Sequence, residues 1–165
     1  MRLSLTWILV AWLMGLAASA AAADSQIERA SLTGLTSISV VVEALAPVAE
    51  KNGLTTAALQ TDVERRLRQA GINITPDADA YLYVHITVAD PGASLPLPYI
   101  VDVSLMQEVT LPRGLKTRTP LQCPTWSLNR LGMSSADRVR TPVTDRVDEF
   151  VDQFIRAFQS VNPKP

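Results

Sequence analysis

The chain has 165 residues, with 15 basic and 16 acidic side chains, one His, one Cys and a formal net charge of −1. Balanced, interspersed charge excludes the basic stripe of a nucleic-acid binder, and one His with one Cys excludes a conventional His/Cys zinc site and an internal disulfide. The 47% hydrophobic fraction is concentrated at the N-terminus, and the remainder of the chain has the composition of an ordinary globular domain.

Residues Met1–Ala23 read as a secretory signal peptide. Arg2 supplies the positive start, Leu5 to Leu16 the apolar stretch, and Ala17 to Ala23 the small side chains that signal peptidase accepts before a cut. Cleavage after Ala23 or after Ala20 suits the pattern. The apolar stretch is short and no basic stop-transfer residue comes after it, so no stable membrane anchor is expected after cleavage. A lipoprotein would need Cys at the cut, and the only one is Cys123. The expected location is therefore periplasmic or secreted. Residues 24–162 are expected to form a single domain, long enough to bury about two-thirds of its unfolded surface without disulfides, and residues 163–165 a frayed tail.

The first strand is expected over Ser37–Leu45, with Ile38, Val40, Val42 and Ala44 on one side and Val41 and Glu43 on the other. Pro47 ends it, and Asn52-Gly53 marks a turn. Thr55 or Thr56 then caps a helix reaching about Ala70, with Leu59, Val63, Leu67 and Ala70 on one face and Gly71 at the position where a left-handed residue is wanted. Ile72–Thr75 reads as a short strand or a lead-in, and Pro76–Asp79 as a turn.

Ala80–Ala89 alternates most cleanly. Leu82, Val84, Ile86 and Val88 should face the core, and Tyr81, Tyr83, His85 and Thr87 the other side. Pro91–Pro98 holds too many prolines for a ladder and reads as a loop, either an apolar contact through Leu95 and Leu97 or a hairpin tip. Tyr99–Leu111 is the next strand, and Pro112-Arg113-Gly114 turns the chain. Thr119–Leu128 is the fourth, with Pro120 and Pro124 suiting an edge. Within it, Cys123 reads as a half-buried free thiol, or else as an intermolecular bridge or reactive thiol, and Trp126 as core or as cover for the sheet.

Leu131–Ser135 reads as a loop before a helix that begins at Ser135 or at Thr141. Val143, Val147, Phe150, Val151, Phe154, Ile155 and Phe158 step along one stripe, which at this spacing is core, opposite Asp145, Asp148, Glu149, Asp152 and Arg156. Asn162 to Pro165 ends the helix. The order β-α-β-β-β-α predicts an α+β two-layer sandwich. Its mixed sheet has a parallel first pair and an antiparallel remainder, with two amphipathic helices on one face.

Catalytic constellations are not visible. His85 is the sole imidazole, no nucleophile elbow accompanies it, and the seven glycines are scattered. The pairs Asp77/Asp79 and Asp148/Asp152 are accounted for by turn hydrogen bonding and by solvation on a helix. The expectation is no enzyme, no metal and no cofactor.

One arrangement stands out on the second sheet face. If the two long strands pair, Tyr81, Tyr83 and His85 stand beside Asp102, Ser104 and Met106. Hydroxyls, an imidazole and a carboxylate on one surface can bind a protein partner, a second copy in a homodimer or a small polar ligand; the same residues also suit the wet face of an antiparallel sheet.

Several segments together resemble a family of small exported bacterial proteins of unknown function: Ser31–Leu35 leading into Ser39–Glu43, Gly53-Leu54 through Leu59–Ile72, Ala80–Val84, Thr125-Trp126, and Val151–Phe154 before Val161-Asn162-Pro163. The resemblance implies a fold and carries no activity or site residue. A looser likeness, of topology alone, is to periplasmic accessory domains such as the lipopolysaccharide-assembly lipoprotein, whose lipidated Cys this chain lacks. The resulting expectation is a non-enzymatic periplasmic protein that binds an envelope partner through an open sheet face or edge. A small polar-ligand binder using Tyr81, Tyr83 and His85 is the alternative.

Overall fold

Period-two burial organises the centre of the molecule. Leu82, Val84, Ile86 and Val88 are buried on one side of one strand, and Val101, Val103 and Leu105 on the same side of the next. The structure, a computed structural model, describes residues 24–92, 95–110 and 121–163. The expected signal peptide, the expected Pro112–Gly114 turn, Thr119-Pro120 and the last two residues lie outside them.

In chain order the elements are α1 (Gln26–Ala30), β1 (Ser39–Val42), α2 (Pro47–Lys51), α3 (Thr56–Gln69), β2 (Tyr81–Val88), β3 (Leu97–Val109), β4 (Leu121–Ser134) and α4 (Arg140–Val161). The fold is α+β, with one four-stranded mixed sheet in the order β1-β2-β3-β4. The expected pairing holds: β1 runs parallel to β2, and the β2–β3 and β3–β4 pairs are antiparallel. Among the described residues the helices number four rather than two. Ser25 and Glu28 form a capping box that starts α1. Pro47, expected only to stop a strand, is the first residue of α2, where its missing N–H costs nothing.

Leu59, Val63 and Leu67 of α3 join Val143, Val147, Phe150, Val151 and Phe154 of α4 in one core with the buried sheet residues. Trp126 is wholly buried there, edge-on to Phe154 at 5.2 Å between ring centroids, and its indole N–H donates to Asp24 Oδ1 at 3.2 Å. Helix α3 has Thr55 as its cap, accepting from the Ala58 N–H at 3.3 Å, and Gly71 follows it at φ 83°. None of the helices among the described residues is long and apolar enough to cross a membrane.

Three boundaries differ from expectation. β1 stops at Val42, and Ala44 is exposed while Leu45 is buried, because the chain leaves the ladder to enter α2. β3 begins at Leu97, so part of the proline-rich stretch is strand. Pro98 accepts from the Ala89 N–H at 3.0 Å, one residue beyond the last β2–β3 register pair, so its absent donor costs only the reciprocal bond at the very end of the ladder. Leu97 is accordingly buried, while Leu95 stays exposed. β4 continues through Leu131–Ser134, expected to be loop. Gly132 is compatible with strand there because the Tyr99 ring covers it: an added Cβ would lie 2.8 Å from Tyr99 Cε1 and nearer still to Cζ. β4 is an edge strand, as its prolines suggested. Pro124 sits beside the register shift at Leu105/Met106, and Cys123 is half-buried and free. Asn162 is tied to the chain before β1, accepting from the Gly34 N–H and donating to the Leu32 carbonyl, both at 2.8 Å.

Candidate functional site

The sheet face away from the core is arranged in rows across the strands. Register places Tyr81 beside Met106, Tyr83 beside Val41 and Ser104, and His85 beside Asp102, which in turn faces Asn129. Thr87, Ile100 and Leu131 make the next row. The residues expected from sequence to stand together do so, and β1 adds one more. Glu43 follows β1, its N–H donates to the Val84 carbonyl at 3.0 Å, and its side chain comes up beside Tyr83 and His85.

Glu43 is the hub of this face. Its Oε2 accepts from the Tyr83 hydroxyl and meets His85 Nδ1 at 2.5 Å. An ionised carboxylate can only accept, so His85 Nδ1 donates to it, and Nε2 lies 2.9 Å from Thr87 Oγ1. The Tyr83 and His85 rings stack, 6.3 Å apart and 7° from parallel. Hydrogen bonds from Tyr83 and then His85 hold the Glu43 carboxyl below its ordinary range, against a smaller opposing effect of burial. The same bond to Glu43 pushes the Tyr83 phenol up to about 12.

A shallow depression of about 530 Å³ opens over Glu43, Tyr83, His85, Thr87, Asp102 and Asn129, with Ile100 on its border. Its two carboxylates face no Lys or Arg in the lining. Both strong donors, the phenol and the Nδ1–H, are already bound to Glu43, so the arrangement offers acceptors. Its chemistry is to receive ammonium, guanidinium or amide donors. Tyr81 stands outside the depression, edge-on to Tyr83 at 6.4 Å. Ser104 is 6% exposed and donates to Asp102 Oδ1 at 2.6 Å, so it orients that carboxylate rather than presenting its own hydroxyl. Apolar side chains border the polar centre: Val41 and Ile100 are 41% and 42% exposed, Leu131 and Met133 66% and 65%.

Glu43, Thr87, Ile100 and Asn129 extend the set chosen from sequence. The signal for Glu43 was present, since strand alternation already pointed it to this side; what was missing was the parallel register that carries it to His85. The reading of Asp148 needs correction. It is half-buried, bonded to Arg66 Nη2 at 2.5 Å, while Arg66 also reaches Asp62 at 3.0 Å and Asp152 at 3.5 Å. Burial and the neighbouring Asp62 carboxyl raise Asp148 to about 6, against the attraction of Arg66. Among the described residues no group of three or more His, Cys, Asp and Glu side chains converges as a metal site requires.

No family model matches the chain, and no curated protein is similar enough to match it.

Proposed function

We propose that the chain, exported and trimmed of its leader, is a non-enzymatic envelope protein, built as a two-layer sandwich, that binds a protein partner through the open face of its sheet. The observation that supports this most is the composition of that face. Glu43 and Asp102 flank His85 without a compensating cation in the depression, and Val41, Ile100, Leu131 and Met133 stand exposed around them. A polar centre with an apolar border fits a partner surface that presents Arg or Lys between apolar side chains.

A photo-reactive residue in place of Ile100 tests the reading in cells. A discrete adduct is expected, and His85→Ala or Asp102→Asn should abolish it while leaving the urea unfolding midpoint unchanged. A control probe at Asp145, exposed on α4, should give none. Absence of an adduct, or one that survives both substitutions, would overturn the proposal. A second reading rests on the concave shape of the depression itself: a small polar cation, such as an alkylamine or guanidine, seated on Glu43 and Asp102. It predicts the same loss in His85→Ala, read as ligand-induced thermal stabilisation of the purified chain.

A further inference from the structure

The helix side of the molecule carries a second cavity, separated from the sheet face by the core. Helices α3 and α4 run in the same direction: Arg66 bridges Asp62 and Asp148 midway, and the Gln159 amide donates to the Ala70 carbonyl near their far ends at 3.3 Å. Between their N-terminal halves lies a cleft of about 420 Å³, a size suited to a small ligand. Leu54, Leu59, Val63 and Val147 form its floor and are buried at the level of the core.

Charge is distributed unevenly along this cleft. At its inner end the Asp62 and Asp148 carboxylates are compensated by Arg66, which donates to both, and by Arg65, which pairs with Asp62. At its outer end Arg140 makes no ion pair among the described residues. The stem of Arg140 lies along the turn before α3, its Cδ 3.6 Å from where a Cβ on Gly53 would be. Thr55, in the same lining, accepts the Ala58 N–H through Oγ1 and keeps its own hydroxyl proton to donate. Thr144 does not add to this, since its hydroxyl already donates to backbone carbonyls of its own helix. Arg140 and Asp148 are eight residues apart on α4, about 12 Å along the axis.

We propose that this cleft binds a small amphipathic monoanion, a carboxylate on an unbranched apolar body. The carboxylate sits on the Arg140 guanidinium and the Thr55 hydroxyl, and the apolar body lies on Leu54, Leu59, Val63 and Val147. A medium-chain fatty acid is the simplest molecule of this class. The site shares no residue with the sheet face and stands or falls independently of the function proposed for that face.

Titration of the purified chain with octanoate, followed by amide NMR, is the test, with octanol and octylammonium as matched probes. Octanoate should shift the Gly53, Ala58 and Thr144 amides saturably. Arg140→Gln should weaken it about tenfold, the worth of one hydrogen bond to a charged group. Ala58→Phe, which fills the cleft from an exposed position, should abolish binding, and His85→Ala should leave it unchanged. No saturable shift at these amides would overturn the proposal, as would equal binding of octanol, tighter binding of octylammonium, or an Arg140→Gln variant that binds as well as the parent.

Discussion

Tyr83 owes its raised phenol to one carboxylate, and that makes the Glu43 hub measurable. An ionised phenol beside an ionised Glu43 is disfavoured, so the hydroxyl keeps its proton up to about 12. Glu43→Gln removes the charge but keeps the shape. It should return Tyr83 toward the ordinary tyrosine value near 10, read from its ring-carbon shift in a pH titration. An unchanged Tyr83 titration would mean that the contact is not kept in solution. At this scale much of the face was legible in sequence. Period two alone lined up Tyr83, His85 and Asp102, because side-chain direction in a strand follows from residue number. Glu43 was not legible as a partner, because 42 residues separate it from His85 and only strand pairing joins them. Ser104 was legible in position but not in burial, which depends on its neighbours in three strands.

The α3–α4 pair behaves as one electrostatic unit. Asp148 faces Asp62 and Arg66 from α3 and has Asp145, Glu149, Asp152 and Arg156 beside it on its own helix. Its folded value of about 6 lies above the ordinary 3.8, so the folded chain takes up a proton that the unfolded chain does not. That contribution to stability is fully present below about pH 4 and is lost as the pH rises through about 6. Asp62 opposes it. Burial pushes Asp62 up, but hydrogen bonds from Arg65, Arg66 and Asp148 outweigh burial and leave it lowered, so its contribution is lost as the pH falls. Arg66→Gln should therefore cost about 1 kcal/mol at pH 7, where both carboxylates need the cation, and distinctly less at pH 5, where Asp148 holds a proton. Urea unfolding at the two pH values measures this; an equal loss at both would contradict the shared role of Arg66.

Elements with strong local signals were legible in the same way. Helix α3 carries its start in Thr55 and its stop in Gly71, and the stripe of α4 runs through most of its length. The short helices were missed for different reasons. The Ser25–Glu28 capping box was overlooked, and Pro47 serves equally to end a strand or to begin a helix. The late part of β4 was hidden by Gly132, whose place in the ladder depends on Tyr99, more than thirty residues away.

Among the described residues, the apolar stripes of α3 and α4 join the buried sheet residues in one core, and the residues of α3 and α4 are absent from the lining of the depression over the polar rows. Trp126 and Phe154 meet inside the core, so a large aromatic pair is spent on stability and none of it on recognition. The polar rows over β1 to β4 hold Glu43, Tyr83, His85, Asp102 and Asn129 around one depression. We propose that a partner covers this face where the protein works. His85 is the only imidazole in the chain and lies in the middle of the face, so its acylation by diethyl pyrocarbonate, read by mass spectrometry, reports on that face alone. We expect rapid modification in the purified chain and several-fold protection in cells at native abundance, with the protection lost in Asp102→Asn. Equal modification rates in both settings would contradict the claim.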